Sequence, residues 1–182
     1  FGTWKVNPLF VGGKDRIHPV DHTTYEDEND LSAKMYFAHD GANLFFGAEV
    51  TDDRHFNNSP SSRIWKGDCL QIGIDPLTNF IRNVFDLDPD DTFLSMGLLK
   101  DGQALDVHRG PFRPMLKNAA EFKVTRDEKT KKTVYQLKMP MKFIDLSLSK
   151  GTIFGFNCIV MDDDTGSGAD YWLFLRQGLA GG

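Results

Sequence analysis

The sequence predicts an all-β fold: an antiparallel β-sandwich of two sheets, jelly-roll or immunoglobulin-like in its layering. Three observations carry this prediction. Short runs in which large apolar side chains alternate with polar or small ones recur along the chain, the period-2 pattern of half-buried strands. Turn-forming clusters separate these runs, as at Asp40-Gly41-Ala42-Asn43, Asp101-Gly102 and Asp164-Thr165-Gly166-Ser167-Gly168. The chain holds 15 Phe, 17 Gly and 8 Pro and no long run rich in Ala, Leu and Glu, which favours strands and turns over helices.

The elements follow in order. Residues 1–32 are the least regular part, and their acidic run Glu26-Asp27-Glu28-Asn29-Asp30 reads as a solvated loop. Strands are expected at 33–38 (AKMYFA), 43–51 (NLFFGAEVT), 68–75 (DCLQIGID), 80–87 (FIRNVFDL) and 92–99 (TFLSMGLL). Four more are expected at 119–125, 133–139, 153–161 and 170–175. On the last of these, Trp172 and Phe174 share one face and Tyr171, Leu173 and Leu175 the other, so it reads as buried on both sides. Segment 109–114 (RGPFRP) reads as a loop, and only 140–149 reads as a helical turn. No internal repeat, low-complexity tract or linker interrupts the pattern.

Composition bounds the function. At 182 residues the chain suits a single domain, 1–182, with a full core. A net charge of -5 argues against a nucleic-acid partner, which needs a clustered basic face. No apolar stretch reaches the roughly 18 residues that span a bilayer. The first residue is Phe1, so the expectation is a processed protein or an excised module.

The two cysteines can be tested by parity. Cys69 shares its strand face with Gln71 and Gly73, opposite Leu70, Ile72 and Ile74; Cys158 is in step with the apolar Phe154, Phe156 and Val160. If both strands lie in one sheet, the thiols point to opposite sides, and no disulfide is expected. No serine-hydrolase elbow, His-Glu-x-x-His motif, phosphate-binding loop or dinucleotide turn occurs, and the five histidines are scattered. No pair of carboxylates stands out as an acid and nucleophile. The expectation is therefore a non-enzyme.

Three Asp clusters are left: Asp52-Asp53, Asp86 to Asp91, and Asp162-Asp163-Asp164. Asp86, Asp88 and Asp90 have the 1-3-5 spacing of a calcium loop, but Asp91 stands where an EF-hand needs Gly and Gly97 where it needs Glu, so an EF-hand is excluded. Structural calcium at one of these clusters and simple turn-forming Asp residues both stay open.

Aromatics outside the alternation carry a sharper signal. Trp65 precedes its strand, between Ile64 and Lys66, where the core cannot easily claim it; Phe56 sits in the loop Arg54-His55-Phe56-Asn57-Asn58 ahead of it. A flat ring beside Asn, Gln and Arg suits the C–H face of a pyranose, with planar polar groups for the hydroxyls. A packing lid over the sandwich end is the alternative.

An ordered set of motifs then resembles the family-9 carbohydrate-binding modules, the type appended to secreted xylanases and other polysaccharide-degrading enzymes. The segments are "DLSAKMYFAHDGANLFFGAEVTDD" (30–53), "IWKGDCLQIGIDP" (64–76), "VYQLKMP" (134–140) and "IFGFNCIVMDDD" (153–164). The resemblance implies an antiparallel β-sandwich with bound calcium and a slot where Trp residues stack on a polysaccharide or oligosaccharide. It also implies a secreted, extracellular or periplasmic setting and a covalently linked catalytic domain. Trp65 matches the family's first stacking Trp, and Gln71 a position that is Glu in sugar-binding members. The expected sugar contacts are Trp65, Gln71, Asn157, Trp172, Phe56 and Arg82; the expected calcium ligands are Asp52, Asp53 and Asp163. Arg109 and Arg113, in the 109–114 loop, could meet a uronic-acid carboxylate.

Two further classes stay open. One is a structural or partner-docking domain that has lost sugar binding, since Ile159 stands where a polar ligand is expected. The other is a haem or electron-transfer domain, for which Met96, Met115 and His108 are the nearest axial candidates.

Overall fold

Two stacked antiparallel sheets make up the molecule, and their inner faces supply its main core. The structure is a computed structural model that describes residues 7–20, 25–79, 87–176 and 179. Its strands are β1 (Leu9–Val11), β2 (Ile17–Pro19), β3 (Leu31–His39), β4 (Asn43–Asp52), β5 (Cys69–Asp75), β6 (Thr92–Leu99), β7 (Gly102–Arg109), β8 (Glu121–Asp127), β9 (Lys132–Pro140), β10 (Gly155–Asp162) and β11 (Tyr171–Phe174). One short helix, α1 (Arg113–Ala119), joins β7 to β8. The five-stranded sheet runs β1-β3-β4-β9-β8 and the six-stranded sheet β2-β11-β10-β5-β6-β7.

The expected all-β sandwich is therefore what the chain adopts. The differences are local. Strands β1, β2 and β7 form where no strand was expected, and α1 replaces the second half of the expected loop at 109–114. Pro114 near the start of α1 fits a helix entry, because the missing N–H of proline has no partner to lose there. The expected helical turn at 140–149 shrinks to the single turn Met141–Phe143. The expected strand at 80–87, and with it Arg82 and Asp86, lies outside the described residues except for Leu87.

Alternation explains the core. From β4, Leu44, Phe46, Ala48 and Val50 point inward; from β5, Leu70, Ile72 and Ile74 do; all are at most 2% exposed. Tyr135, Leu137 and Met139 of β9 and Cys158 and Val160 of β10 complete this layer. A buried side chain of this size contributes about 1.5–3 kcal/mol relative to an exposed one.

The six-stranded sheet also has an apolar outer face. Cys69, Ile159 and Met161 lie there, covered by Ile64 and Leu99, as a second and smaller buried cluster. Cys69 pairs with Met161 and Cys158 with Ile72 on neighbouring strands, so the two thiols occupy opposite faces of one sheet. Both are free and buried, as parity requires. Burial pushes the Cys158 thiol up to about 12, so neither sulfur is set up as a nucleophile.

Candidate sugar-binding pocket

The outer face of the six-stranded sheet is only partly covered, and the uncovered part is a pocket of about 760 Å³. Its floor is the sheet itself: Gln71 from β5, Phe93 from β6, Met161 from β10 and Trp172 from β11. Register places these side by side, with Gln71 opposite Ile159 and Ser95, and Met161 opposite Trp172.

One wall is the segment Ser61–Lys66, two short 3-10 turns joined at a kink at Arg63, which carries Trp65. Ile64 is fully buried in the second cluster, so the next side chain must project away from the protein. Trp65 is 44% exposed, and among the described residues no ring stacks on it. The turn is held rigidly. Buried Asn57 donates from its side-chain amide to the Ile64 and Asp68 carbonyls at 2.8 and 3.0 Å. Gly67 permits the close approach, because a Cβ there would lie 2.6 Å from the Phe56 carbonyl. Its platform is thus fixed before any ligand arrives.

The opposite wall is the loop after β10. Asp163, fully buried, shapes it by accepting from the backbone N–H groups of Thr165, Gly166 and Gly168 at 3.1, 2.6 and 3.2 Å. That turn sets Gly168 and Ala169 against the pocket. Trp172 is used differently from Trp65: one ring face stacks on His18 of β2, centroids 4.2 Å apart and planes 14° apart.

Polar groups on the floor are few. Gln71 is 6% exposed, and among the described residues its side-chain amide has no hydrogen-bond partner. His108 is engaged already, with Nε2 2.6 Å from the Ser95 hydroxyl and Nδ1 3.5 Å from Asp106, which pairs with Lys117 at 2.8 Å. Burial lowers the pKa of His108, which favours its neutral form.

Of the residues expected at a sugar site, the fold brings Trp65, Gln71 and Trp172 together. Asn157 is on the same sheet face but is turned to the backbone of Arg176, donating at 2.9 Å and accepting at 3.1 Å. Next to it, Gly73 is covered by Leu179, whose Cδ1 sits 2.4 Å from where a Cβ would be, closing one end of the pocket. Phe56 packs near Gly166 outside the pocket. The sequence reading passed over Lys66, Phe93, Ala169 and Leu179 as pocket residues. The parity of β10 did place Met161 on this face. Arg109 ends β7, Arg113 begins α1, and neither lines the pocket.

Acidic residues gather at the sandwich margins. Carboxylate oxygens of Asp30, Asp53 and Asp164 lie within 4.8 Å of one another, as do those of Asp75, Asp90 and Asp91. Both groups offer only oxygen, the donor set hard cations prefer. Burial first, then neighbouring Asp53 and Asp30, push Asp164 up to about 6; burial does the same to Asp91. Among the described residues, buried oxygens of Asp164, Asp90 and Asp91 have no hydrogen-bond partner. A third group, Asp52, His55 and Asp68, contains nitrogen, and Arg126 already sits 3.1 Å from Asp52 and supplies a counter-charge. Of the expected ligands, Asp53 thus joins an oxygen cluster, Asp52 faces His55 and Arg126, and Asp163 holds its turn.

The haem alternative needs axial ligands that converge. Met96 lies inside the core, Met115 is exposed on α1 and His108 is on the outer sheet face, so the three do not meet.

Comparison with known proteins gives concordant results. Residues 16–175 match the family model described as "Carbohydrate family 9 binding domain-like". Among solved structures, a carbohydrate-binding module family 9 from Caldicellulosiruptor kristjanssonii in complex with cellotriose is 18% identical, with a TM-score of 0.65, over 91% of this chain and 73% of that one. A second such module from the same organism, in complex with glucose, is 17% identical with a TM-score of 0.63, over 90% of this chain and 84% of that one. At these identities the likeness is one of fold. Among curated proteins, none matches the sequence significantly.

Proposed function

Because the chain belongs to the carbohydrate family 9 binding domains, we propose that it binds a saccharide in the outer-sheet pocket, with Trp65 as the stacking platform. The single observation that carries this reading is Trp65 itself: an indole on a hydrogen-bonded turn, 44% exposed, with no ring against it and an unpartnered amide on the pocket floor among the described residues. A pyranose presents a patch of C–H bonds that suits an aromatic face, and Gln71 can donate to one hydroxyl and accept from another. Trp172 supplies a second aromatic surface. The role is non-catalytic: to hold an attached enzyme on a polysaccharide outside the cell. Cellotriose and glucose, the ligands of the two similar modules, mark β-glucans and their oligosaccharides as the first to screen.

Calcium has a place in the same reading. The Asp30, Asp53 and Asp164 carboxylates would hold one ion, and Asp75, Asp90 and Asp91 a second, each neutralising charges that now crowd one another. An ion bound only by the folded state raises stability by about 2.7 kcal/mol at a hundred times its Kd. Chelation by EDTA is expected to lower the melting temperature by several degrees, restored by added calcium; an unmoved transition contradicts the assignment.

Function is tested by a glycan array and a soluble-polysaccharide gel-retardation screen, with Trp65→Ala beside the parent. The expected result is retention by at least one glucan or xylan, lost in the variant, at unchanged melting temperature. Binding that survives the substitution removes Trp65 from the site.

A further inference from the structure

We propose that the pocket selects sugars bearing a carboxylate, and that Lys66 is the residue that reads that charge; this rests on the reading of the pocket as a sugar site. The chain carries 26 acidic residues and a net charge of -5, yet among the described residues no Asp or Glu lines the pocket. Among the described residues, Lys66 is the one formally charged side chain on its wall. Its Nζ lies 5.5 Å from the centroid of the Trp65 ring, so the positive charge is held at the stacking platform itself. Among the described residues no carboxylate lies within salt-bridge distance of it. Lys117, by contrast, is tied to Asp106.

The floor agrees with the wall. Gln71 is a neutral amide, which can donate to a carboxylate where an acidic side chain would repel it. Asp106, the carboxylate behind His108, has its charge met by Lys117 at 2.8 Å. A uronic acid stacked face-on against Trp65 projects its C5 carboxylate outward from the ring edge, in the plane of the sugar. Lys66 Nζ lies over the same indole, 5.5 Å from its centroid, next to where a sugar stacked on that ring would sit. A neutral hexose has a hydroxymethyl group there and leaves the charge unused. Exposed ion pairs are modest in water, so the expected preference is about two- to fivefold.

The test uses the whole chain and two matched pairs: glucuronic acid with glucose, and galacturonic acid oligomers with galactose oligomers. Affinity is measured by calorimetry in low salt and at high ionic strength, for the parent, Lys66→Gln and Trp65→Ala. The inference predicts that at least one uronate binds about two- to fivefold tighter than its neutral partner. The advantage should shrink to less than twofold in high salt and in Lys66→Gln, because surface charge pairs are screened. Trp65→Ala should lose both sugars of a pair. Equal or tighter binding of the neutral sugars, unchanged by Lys66→Gln, overturns the charge selection while sugar binding at Trp65 stands. Failure of the parent to bind any of these sugars or any array glycan overturns the sugar site and this inference together.

Discussion

The two faces of strand β5 show how one stretch of chain builds both a core and a binding surface. Leu70, Ile72 and Ile74 face inward and join the main buried cluster with the opposite sheet. Cys69, Gln71 and Gly73 face outward, where cover is piecemeal: Ile64 and Leu99 seal the end near Cys69, Leu179 seals Gly73, and between them Gln71 is left in the floor of a pocket. A complete second layer makes stability; an interrupted one makes a site. The difference comes from what lies above the strand, since the strand's own alternation is equally regular on both sides.

Adjacent residues can break this comparison most sharply. Ile72 is 1% exposed on the inner face, and Ile72→Ala is expected to cost roughly 2–5 kcal/mol of unfolding free energy through lost burial and a cavity. For a domain of this size that is a fall in melting temperature of several degrees or more. Sugar affinity measured well below the transition should not change. A stability loss under 1 kcal/mol contradicts the account of the inner face.

The smaller effect belongs to the neighbour. Gln71→Ala removes an amide with no hydrogen-bond partner among the described residues, so stability should shift by less than about 0.5 kcal/mol. Sugar affinity should fall several-fold, corresponding to about 0.5–1.5 kcal/mol for a hydrogen bond. The reverse pattern, a large stability loss with intact binding, would make Gln71 a structural residue.

Much of the fold is legible in the sequence because period-2 alternation reports burial directly. It marks β3 to β6 and β8 to β11 within a few residues. Strand β7 is harder: Leu105 and Val107 alternate, but Asp106, His108 and Arg109 between and after them are polar, and Asp106 is matched by Lys117 of α1, a partner the local pattern does not show. Strands β1 and β2 are three residues each, too short for any alternation to show, and form because β3 and β11 offer open edges.

The pocket is legible in part for the same reason. Trp65 and Gln71 stand out locally, one by breaking the alternation and the other by sitting within it on the outer face. Phe93, Ala169 and Leu179 do not, because each enters the pocket through pairing or covering contacts set by tertiary structure. Asn157 shows the limit in the other direction. Its residue type and face are right for a ligand, but the Arg176 backbone takes both ends of its amide.

The central claim is that the outer face of the six-stranded sheet, and not some other surface, receives the sugar. A titration followed by NMR, observing the indole N–H signals of the three tryptophans and the side-chain amide of Gln71, tests it most directly. The account predicts saturable shifts at Trp65, Trp172 and the Gln71 amide, with the inner-face methyl signals of Ile72 and Leu70 unmoved. Saturable shifts confined to the outer face of the five-stranded sheet, with Trp65 and Gln71 silent, would contradict it.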